Sequence, residues 1–115
     1  MNYLAHLYLS QPTVDSHYGN LLGDFRKGVN VAALPFSVQQ GLQNHYLVDR
    51  FTDSHPEVMA AKQVFPKSQR RFAPVALDMI FDHFLIKNWS TYSSITFDDF
   101  CYRSFNLLRE GMPAM

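Results

Sequence analysis

The sequence has little of what marks a secreted or a nucleic-acid-binding protein. Cys101 is the only cysteine among 115 residues, so an internal disulfide and a zinc site built from thiolates are both excluded. A single cysteine fits a reducing compartment, and we expect Cys101 to be a small core residue. Ten Lys and Arg balance ten Asp and Glu, so the chain lacks the overall charge that holds nucleic acid or an anionic membrane.

Long apolar runs and a basic leader are absent as well. No run approaches the roughly 18 apolar residues of a membrane span, and no basic region precedes the apolar residues of "MNYLAHLYLS". We therefore expect a soluble, cytoplasmic protein that binds neither membrane nor nucleic acid. Because 47% of the residues are hydrophobic and 17% are charged, the chain can bury a core, and its length predicts one domain over residues 1–115.

Helical signals recur along the chain, whereas strand signals are weak. A capping box at Ser37 and Gln40 predicts that the third helix begins near Val38, and Gly28 and Gly111 are the predicted ends of two others. In order, the predicted helices are "YLAHLYL", "DSHYGNLLGDFRKG", "PFSVQQGLQNHYLVDRFTD", "SHPEVMAAKQVF", "APVALDMIFDHFLIKNWS" and "TFDDFCYRSFNLLREG". The first could also be a short strand. Helices with short connections predict an all-α, single-domain bundle.

Aspartates occur where helical segments should be apolar. At about 100° per residue, the third segment places Leu42, His45 and Asp49 on one side. The same construction puts Asp78 and Asp82 close together within the apolar face of the fifth segment. Because Asp is a poor helix former that favours caps and turns, its repeated appearance on inner faces needs an explanation.

Burial makes these carboxylates costly. An ionised carboxylate in a core is strongly unfavourable unless a cation or several donors compensate it, and two close together push one pKa up. Since Lys and Arg are scarce on these faces, the residues predict a bound metal ion with oxygen and imidazole ligands. The candidate ligands are His6, Asp24, His45, Asp49, Asp78 and Asp82. The alternatives are a buried salt-bridge network and, for His6, an ordinary core or surface histidine.

Other polar residues have simpler interpretations. Asp53 is first of all the predicted N-cap of the fourth helix, with Pro and Glu just inside it, although a functional role is an open alternative. His17 and His55 are predicted to be loop or helix-end residues. Asp98 and Asp99 suit the dipole at the start of the last helix, so we assign them no chemistry.

Four blocks of the sequence carry a family resemblance. In order and separation, "MNYLAHLYLS", "GNLLGDF", "HYLVDRFTDSHPEV" and "RRFAPVALDMIFDHFLIKNW" resemble the acyl carrier protein phosphodiesterases, up to about Trp89. The resemblance implies an all-helical relative of the HD-type metal-dependent phosphohydrolases. Such an enzyme removes 4'-phosphopantetheine from the serine of holo-acyl carrier protein, with Mn²⁺ as the expected metal. By motif the resemblance carries over Asp24, His45, Asp49, Asp78, Asp82 and His83.

The implied mechanism gives some of these residues roles. A divalent ion would activate water and neutralise phosphate oxygens, with Asp24 in the catalytic set. Asp82 or His83 would pass a proton to the serine oxygen. Arg26 and Lys27, directly after Asp24, are candidates for binding phosphate, with stabilisation of a helix end as the alternative.

The segment "KQVFPKSQRR" is the one basic cluster in a neutral chain. We expect it to bind the acidic carrier protein, with a solvated helix end and loop as the alternative. The cluster consists of Lys62, Lys67, Arg70 and Arg71.

The resemblance also has a departure. Members of the family usually continue beyond the point where this chain ends, with a further helical region that helps to enclose the site. A shortened relative, active or impaired, is therefore implied, and apolar surface left uncovered predicts a homodimer or a swapped assembly. Two other functions stay open, namely hydrolysis of another phosphoester such as a nucleotide, and a non-catalytic module that binds the carrier protein.

Overall fold

The computed structural model describes residues 2–111, and that part of the chain folds into helices joined by turns. Its seven α-helices are α1 (Tyr3–Tyr8), α2 (Val14–Leu22), α3 (Phe36–Ser54), α4 (Pro56–Val64), α5 (Ala73–Lys87), α6 (Trp89–Tyr92) and α7 (Phe97–Gly111). Two 3₁₀ helices, Val31–Ala33 and Lys67–Phe72, precede α3 and α5. The predicted all-α fold is confirmed, and the alternative of a strand in "YLAHLYL" is wrong because α1 forms there.

α2 and α3 form the most extensive helix pair, and two glycines let their backbones meet. A Cβ atom on Gly19 would lie 2.2 Å from the carbonyl oxygen of Val38, and one on Gly41 would lie 2.8 Å from that of Ser16. Since Cβ atoms do not approach a backbone oxygen that closely, only glycine permits this crossing. The contact fixes the position of α3 and brings His45 to the last turn of α2.

α7 packs against α2 around His17, which is only 1% exposed. Nε2 of His17 lies 3.1 Å from the Ser104 hydroxyl, and Nδ1 lies 2.8 Å from the Ser10 hydroxyl. Nearby, the Tyr18 hydroxyl donates a hydrogen bond to the carbonyl of Leu108. The prediction that His17 is a loop or helix-end residue is wrong, because this side chain lies inside α2 on the face turned to α7.

The second helix is shorter than predicted. α2 ends at Leu22, and the N–H of Phe25 then bonds to the Leu22 carbonyl at 2.8 Å in a tight turn. Gly28 has a φ of 81°, a left-handed conformation that favours glycine. It therefore belongs to a separate turn and does not end the helix.

Two predicted helix caps are replaced by other contacts. The Ser37 hydroxyl lies inside α3 and donates to the Asp15 carboxylate, so the predicted capping box is wrong. Asp53 also lies inside α3, and α4 is capped by His55, whose Nδ1 accepts from the Glu57 N–H at 3.1 Å. The N-cap prediction for Asp53 is therefore wrong, whereas the helix-end position of His55 is confirmed.

The apolar core is small and ends with an aromatic group at α6 and α7. The Trp89 ring centroid lies 4.8 Å from that of Phe100 and 5.3 Å from that of Tyr8. Because Phe100 and Ser104 face inward, the neighbouring Cys101 is turned outward and exposed. The expectation that Cys101 is a core residue is therefore wrong. Buried apolar residues are Ala5, Val38, Leu42, Ala73, Leu77, Trp89 and Phe100.

Apolar side chains on α5 remain in contact with solvent. The described part of the chain measures 46 × 35 × 19 Å, which is about two helices thick. The predicted exposure of apolar surface is confirmed, and the homodimer stays a prediction. No helix in residues 2–111 combines the length and hydropathy of a membrane span. The exposed apolar residues of α5 are Val75, Met79, Ile80, Phe84 and Ile86.

Candidate metal centre

Helices α1 and α3 bring two imidazoles to one carboxylate. Nε2 of His6 lies 3.2 Å from one oxygen of Asp49, and Nε2 of His45 lies 3.2 Å from the other. One potential ligand atom from each of the three residues lies within 4.8 Å of the others. The structure therefore joins a pair from a single turn of α3 to a histidine from the start of the chain.

The orientation of His45 is set by the backbone of α2. Its Nδ1 lies 2.7 Å from the carbonyl oxygen of Asn20, which can only accept, so Nδ1 carries the hydrogen and Nε2 presents its lone pair. The side chain of Asn20 donates to the Ser16 carbonyl and accepts from Asn44, both at 2.8 Å. A hydrogen-bonded support therefore holds the imidazole with the nitrogen that can ligate a metal facing Asp49.

His6 and His45 form a stacked pair in the interior. Their ring centroids are 3.9 Å apart with an interplanar angle of 20°, and the residues are 0% and 2% exposed. Burial lowers the pKa of His6, the charge of His45 lowers it further, and Asp49 and Asp24 oppose that shift. Neutral imidazole is the form that ligates metals, so this environment favours the ligating state.

Gly23 leaves the space that the His45 ring occupies. A Cβ atom on Gly23 would lie 2.1 Å from Cδ2 and 2.2 Å from Nε2 of that ring. The next residue, Asp24, then directs its carboxylate to the same nitrogen, with Oδ1 3.9 Å from Nε2 of His45. The turn after α2 thus makes room for one candidate ligand and supplies another carboxylate.

A polar cleft of about 210 Å³ opens beside the cluster. Four aspartates line it, contributed by the turn after α2, by α3 and by α5, and one lysine from α4 lines it as well. Four apolar residues line it as well. The lining residues are Asp24, Asp49, Thr52, Asp53, Val58, Lys62, Pro74, Leu77, Asp78 and Phe81.

The donors of the cluster fit a divalent first-row metal ion. Imidazole nitrogens and carboxylate oxygens form the mixed set that such ions accept. Nε2 of His6 is buried and has no hydrogen bond within residues 2–111. This nitrogen lies 3.2 Å from Oδ1 of Asp49, which is within the distance of an ion pair, but the contact does not have the geometry of a hydrogen bond. A buried nitrogen left in this state is unfavourable, and a bound cation would satisfy it.

Comparison with known families identifies the relatives of the chain. A family model described as "Acyl carrier protein phosphodiesterase" matches residues 1–115. The chain belongs to the acyl carrier protein phosphodiesterase family. The resemblance inferred from the four sequence blocks is thereby confirmed.

Individual members of the acyl carrier protein phosphodiesterase family give the extent of the similarity. The protein of that name from Enterobacter sp. (strain 638) is 44% identical over 93 residues, which cover 81% of this chain and 48% of the relative. The one from Photorhabdus laumondii is 44% identical over 97 residues, covering 81% and 49%. The chain thus spans about half the length of these curated relatives. No solved structure matches it.

Two residues carried over from the acyl carrier protein phosphodiesterases do not line the polar cleft. Asp82 is partly buried, and burial raises its pKa, with the charge of Asp78 adding to the shift and a hydrogen bond from Asn2 opposing it. His83 is exposed, with its ring beside Phe84. Of the two aspartates predicted to act together on α5, the structure brings only Asp78 to the cleft.

The basic residues divide between cleft, helix end and surface. Arg70 donates to the carbonyl of Phe65 at 3.1 Å, and Arg71 is exposed with its guanidinium 4.7 Å from the centroid of the Phe72 ring. Arg26 is exposed and donates to the Tyr46 hydroxyl at 3.4 Å. The sequence cluster is therefore not one continuous surface. Lys27 and Lys67 are exposed, and Lys62 lines the cleft.

Thr52 and Asp53 also line the cleft; the sequence interpretation did not single out Thr52, and it left a functional role for Asp53 only as the alternative to a predicted N-cap. Asp53 follows Asp49 by four residues, the same spacing that joins Asp49 to His45. The signal was present as one polar stripe on α3, but the predicted cap at Asp53 ended the helix before the stripe was complete.

Proposed function

We propose that this chain carries the catalytic centre of a divalent-metal-dependent phosphodiesterase that releases 4'-phosphopantetheine from holo-acyl carrier protein. The observation that carries the proposal is the pair of buried imidazoles of His6 and His45, placed on either side of Asp49. Membership of the family supports the substrate, because the relatives are named for it. Mn²⁺ is the proposed metal on the family resemblance, and a carboxylate-rich cleft suits it.

His6, His45 and Asp49 would hold the ion, and three protein ligands leave positions open for water and phosphate. When bound, a divalent ion supplies an activated water and neutralises charge on the phosphoryl oxygens. The residues of the chain keep the site ready for it. Burial favours neutral His6 by lowering its pKa, and the Asn20 carbonyl keeps Nε2 of His45 directed at the cluster.

Asp24 is the residue we propose to accept the proton of the attacking water. Its carboxylate lies 3.9 Å from Nε2 of His45, and 39% of its side chain is exposed at the cleft. A carboxylate in that position reaches both the cluster and an incoming substrate. Asp82 and His83 do not line the cleft, so we assign neither of them the proton-transfer role that the sequence suggested.

We propose that exposed basic residues bind the acidic carrier protein. They are Arg26 and Lys27 in the turn after α2, and Arg71 on the second 3₁₀ helix. Arg71→Glu is expected to raise KM for the carrier protein, leave kcat unchanged and reduce the dependence on salt. Unchanged KM and salt dependence would show that these residues do not bind the carrier protein.

The test of the proposed function follows the intact mass of holo-acyl carrier protein incubated with the chain and Mn²⁺. Loss of the phosphopantetheine mass is expected. Both a chelator and His45→Gln should abolish this loss. His83→Gln, which replaces an exposed imidazole, should not. Circular dichroism would establish that each variant is folded. An unchanged mass with Mn²⁺ bound would contradict the substrate and favour another phosphoester or a non-catalytic module that binds the carrier protein.

A further inference from the structure

Lys62 lines the same cleft as the carboxylates, unlike the exposed basic residues near it in the sequence. It lies in the last turn of α4 and lines the polar cleft with Asp24, Asp49, Asp53 and Asp78. Among the described residues that line this cleft, it is the one basic side chain. We propose that the Lys62 ammonium group binds a non-bridging oxygen of the phosphodiester that is cleaved, an inference that rests on the proposed function.

The charges of the cleft favour a cation in addition to one bound metal ion. Four carboxylates surround the cleft, and one divalent ion neutralises only part of their charge. A phosphodiester brings a further negative charge and would be repelled by the remainder. Because the cleft is partly buried, the effective dielectric constant is below that of water, and one ammonium group changes this balance strongly.

The structure of α4 directs Lys62 to this place. Val58 and Lys62 are one helical turn apart, and both line the cleft, so one face of α4 is turned to it. The start of the helix is fixed by Pro56 in its first turn and by His55, whose Nδ1 accepts from the Glu57 N–H. Lys62 therefore reaches the cleft from a regular helix, and α3 carries two of the aspartates that line the same cleft.

A lysine in the last turn of a helix often serves only to stabilise the helix end. Here Arg70 has that role at the end of α4, because its guanidinium donates to the carbonyls of Gln63 at 3.5 Å and Phe65 at 3.1 Å. Lys67, the next lysine along the chain, is exposed and does not line the cleft. Lys62 thus differs from its basic neighbours in lining the cleft, and Lys67 provides a matched control.

The experiment measures binding of inorganic phosphate to the Mn²⁺-loaded chain by calorimetry. Lys62→Met and Lys62→Gln are expected to weaken phosphate binding by about ten-fold or more, because a charge-assisted hydrogen bond is lost. Lys62→Arg, which keeps the charge, should remain close to the wild type, as should Lys67→Met. Mn²⁺ affinity should stay the same or increase in Lys62→Met, since a cation beside the ligands is removed, and the melting temperature should change little.

Two results would overturn the inference. One is equal phosphate affinity in Lys62→Met, Lys62→Gln and the wild type, and the other is a Mn²⁺-loaded wild type that binds no phosphate. A lower melting temperature with unaltered phosphate affinity would assign Lys62 a structural role instead. Turnover of holo-acyl carrier protein is not among these measurements, so an inactive wild type would contradict the proposed function alone.

Discussion

His45 connects the fold to the candidate site through three contacts from different parts of the chain. Its Nδ1 is held by the Asn20 carbonyl of α2, its ring stacks on His6 of α1, and its Nε2 faces Asp49 one turn further along α3. The ring cannot rotate without losing the hydrogen bond that sets its tautomer. Small changes beside this ring should therefore affect metal binding before they affect folding.

Gly23→Ala is expected to reduce Mn²⁺ affinity by about ten-fold or more, in the range of other changes to groups that support a ligand. The added Cβ would lie 2.1 Å from Cδ2 of His45, and a side chain moves aside more readily than backbone. Titration followed by electron paramagnetic resonance measures the affinity. Gly28→Asn is the control, because position 28 has a positive φ that Asn tolerates and no atoms near a new Cβ. Equal affinities in both variants would contradict the packing argument.

Single residues of the candidate site were predictable to different degrees from the sequence. His45 and Asp49 stand out because polar groups on an apolar helical face need a partner. Asp78 and Asp82 have equivalent positions in the apolar pattern of the fifth segment. Only Asp78 lines the cleft, because packing decides which side of α5 faces α3. From the sequence alone, Lys62 has the pattern of a surface charge. Only the tertiary structure places it at the cleft that the aspartates line.

Among the helices, α2 supports the site without supplying a ligand. α1, α3 and α7 all pack on it, and its last turn provides the Asn20 carbonyl that orients His45. The close glycine crossing with α3 and the buried His17 contact with α7 lie on the same short helix. A change in α2 is therefore transmitted to both partners.

Replacing His17 should reveal a pH-dependent contribution to stability. Burial lowers the pKa of His17 and the charge of Arg103 adds to the shift, while a hydrogen bond to the Gln11 carbonyl opposes it. The unfolded chain is protonated at this residue below about pH 6.5, whereas the folded chain resists protonation. The free energy of unfolding should therefore fall as pH drops below that value.

We expect His17→Gln to cost about 2 kcal/mol at pH 7.5, because the buried hydroxyl of Ser104 and the partly buried hydroxyl of Ser10 lose their partner. The difference from wild type should shrink as pH falls from about 6.5 to 5, since only the wild type loses the His17 contribution. Urea unfolding at several pH values measures both. A difference that stays constant or grows towards low pH would contradict a lowered pKa of His17 in the fold.

Helix positions followed from periodicity, but helix ends did not. The predicted segments coincide with α1 to α5 and α7, because the periodic spacing of apolar residues is a local property of the sequence and does not depend on tertiary packing. The sequence did not predict the break between α5 and α6 at Asn88. This break places Trp89 in the aromatic group with Tyr8 and Phe100. Such a break depends on partners distant in sequence, so local propensity could not indicate it.

On the scale of the whole molecule, the described chain is thin for its length. Its radius of gyration is 15.5 Å, above the roughly 13 Å expected for a compact domain of this size. Apolar side chains of α5 form part of the exposed surface, among them Val75 and Met79 on adjacent turns. A surface of this kind favours contact with another apolar surface.

The predicted homodimer can be tested on this surface. The chain is expected to self-associate in sedimentation equilibrium, and Val75→Glu with Met79→Glu should shift it to monomer because charged groups would be buried at the contact. Lys87→Glu, an exposed change on the same helix, should have little effect. A wild type that stays monomeric at high concentration would contradict self-association through α5.

Metal binding by His6, His45 and Asp49 underlies each functional step proposed here. The most direct measurement is a Mn²⁺ titration of the wild type, His6→Gln, His45→Gln and the exposed control His83→Gln, followed by electron paramagnetic resonance. We predict stoichiometric binding by wild type and His83→Gln, and affinities about ten-fold or more weaker in the other two, since each loses a ligand. Equal Mn²⁺ binding by all four proteins would contradict a metal centre at this cluster.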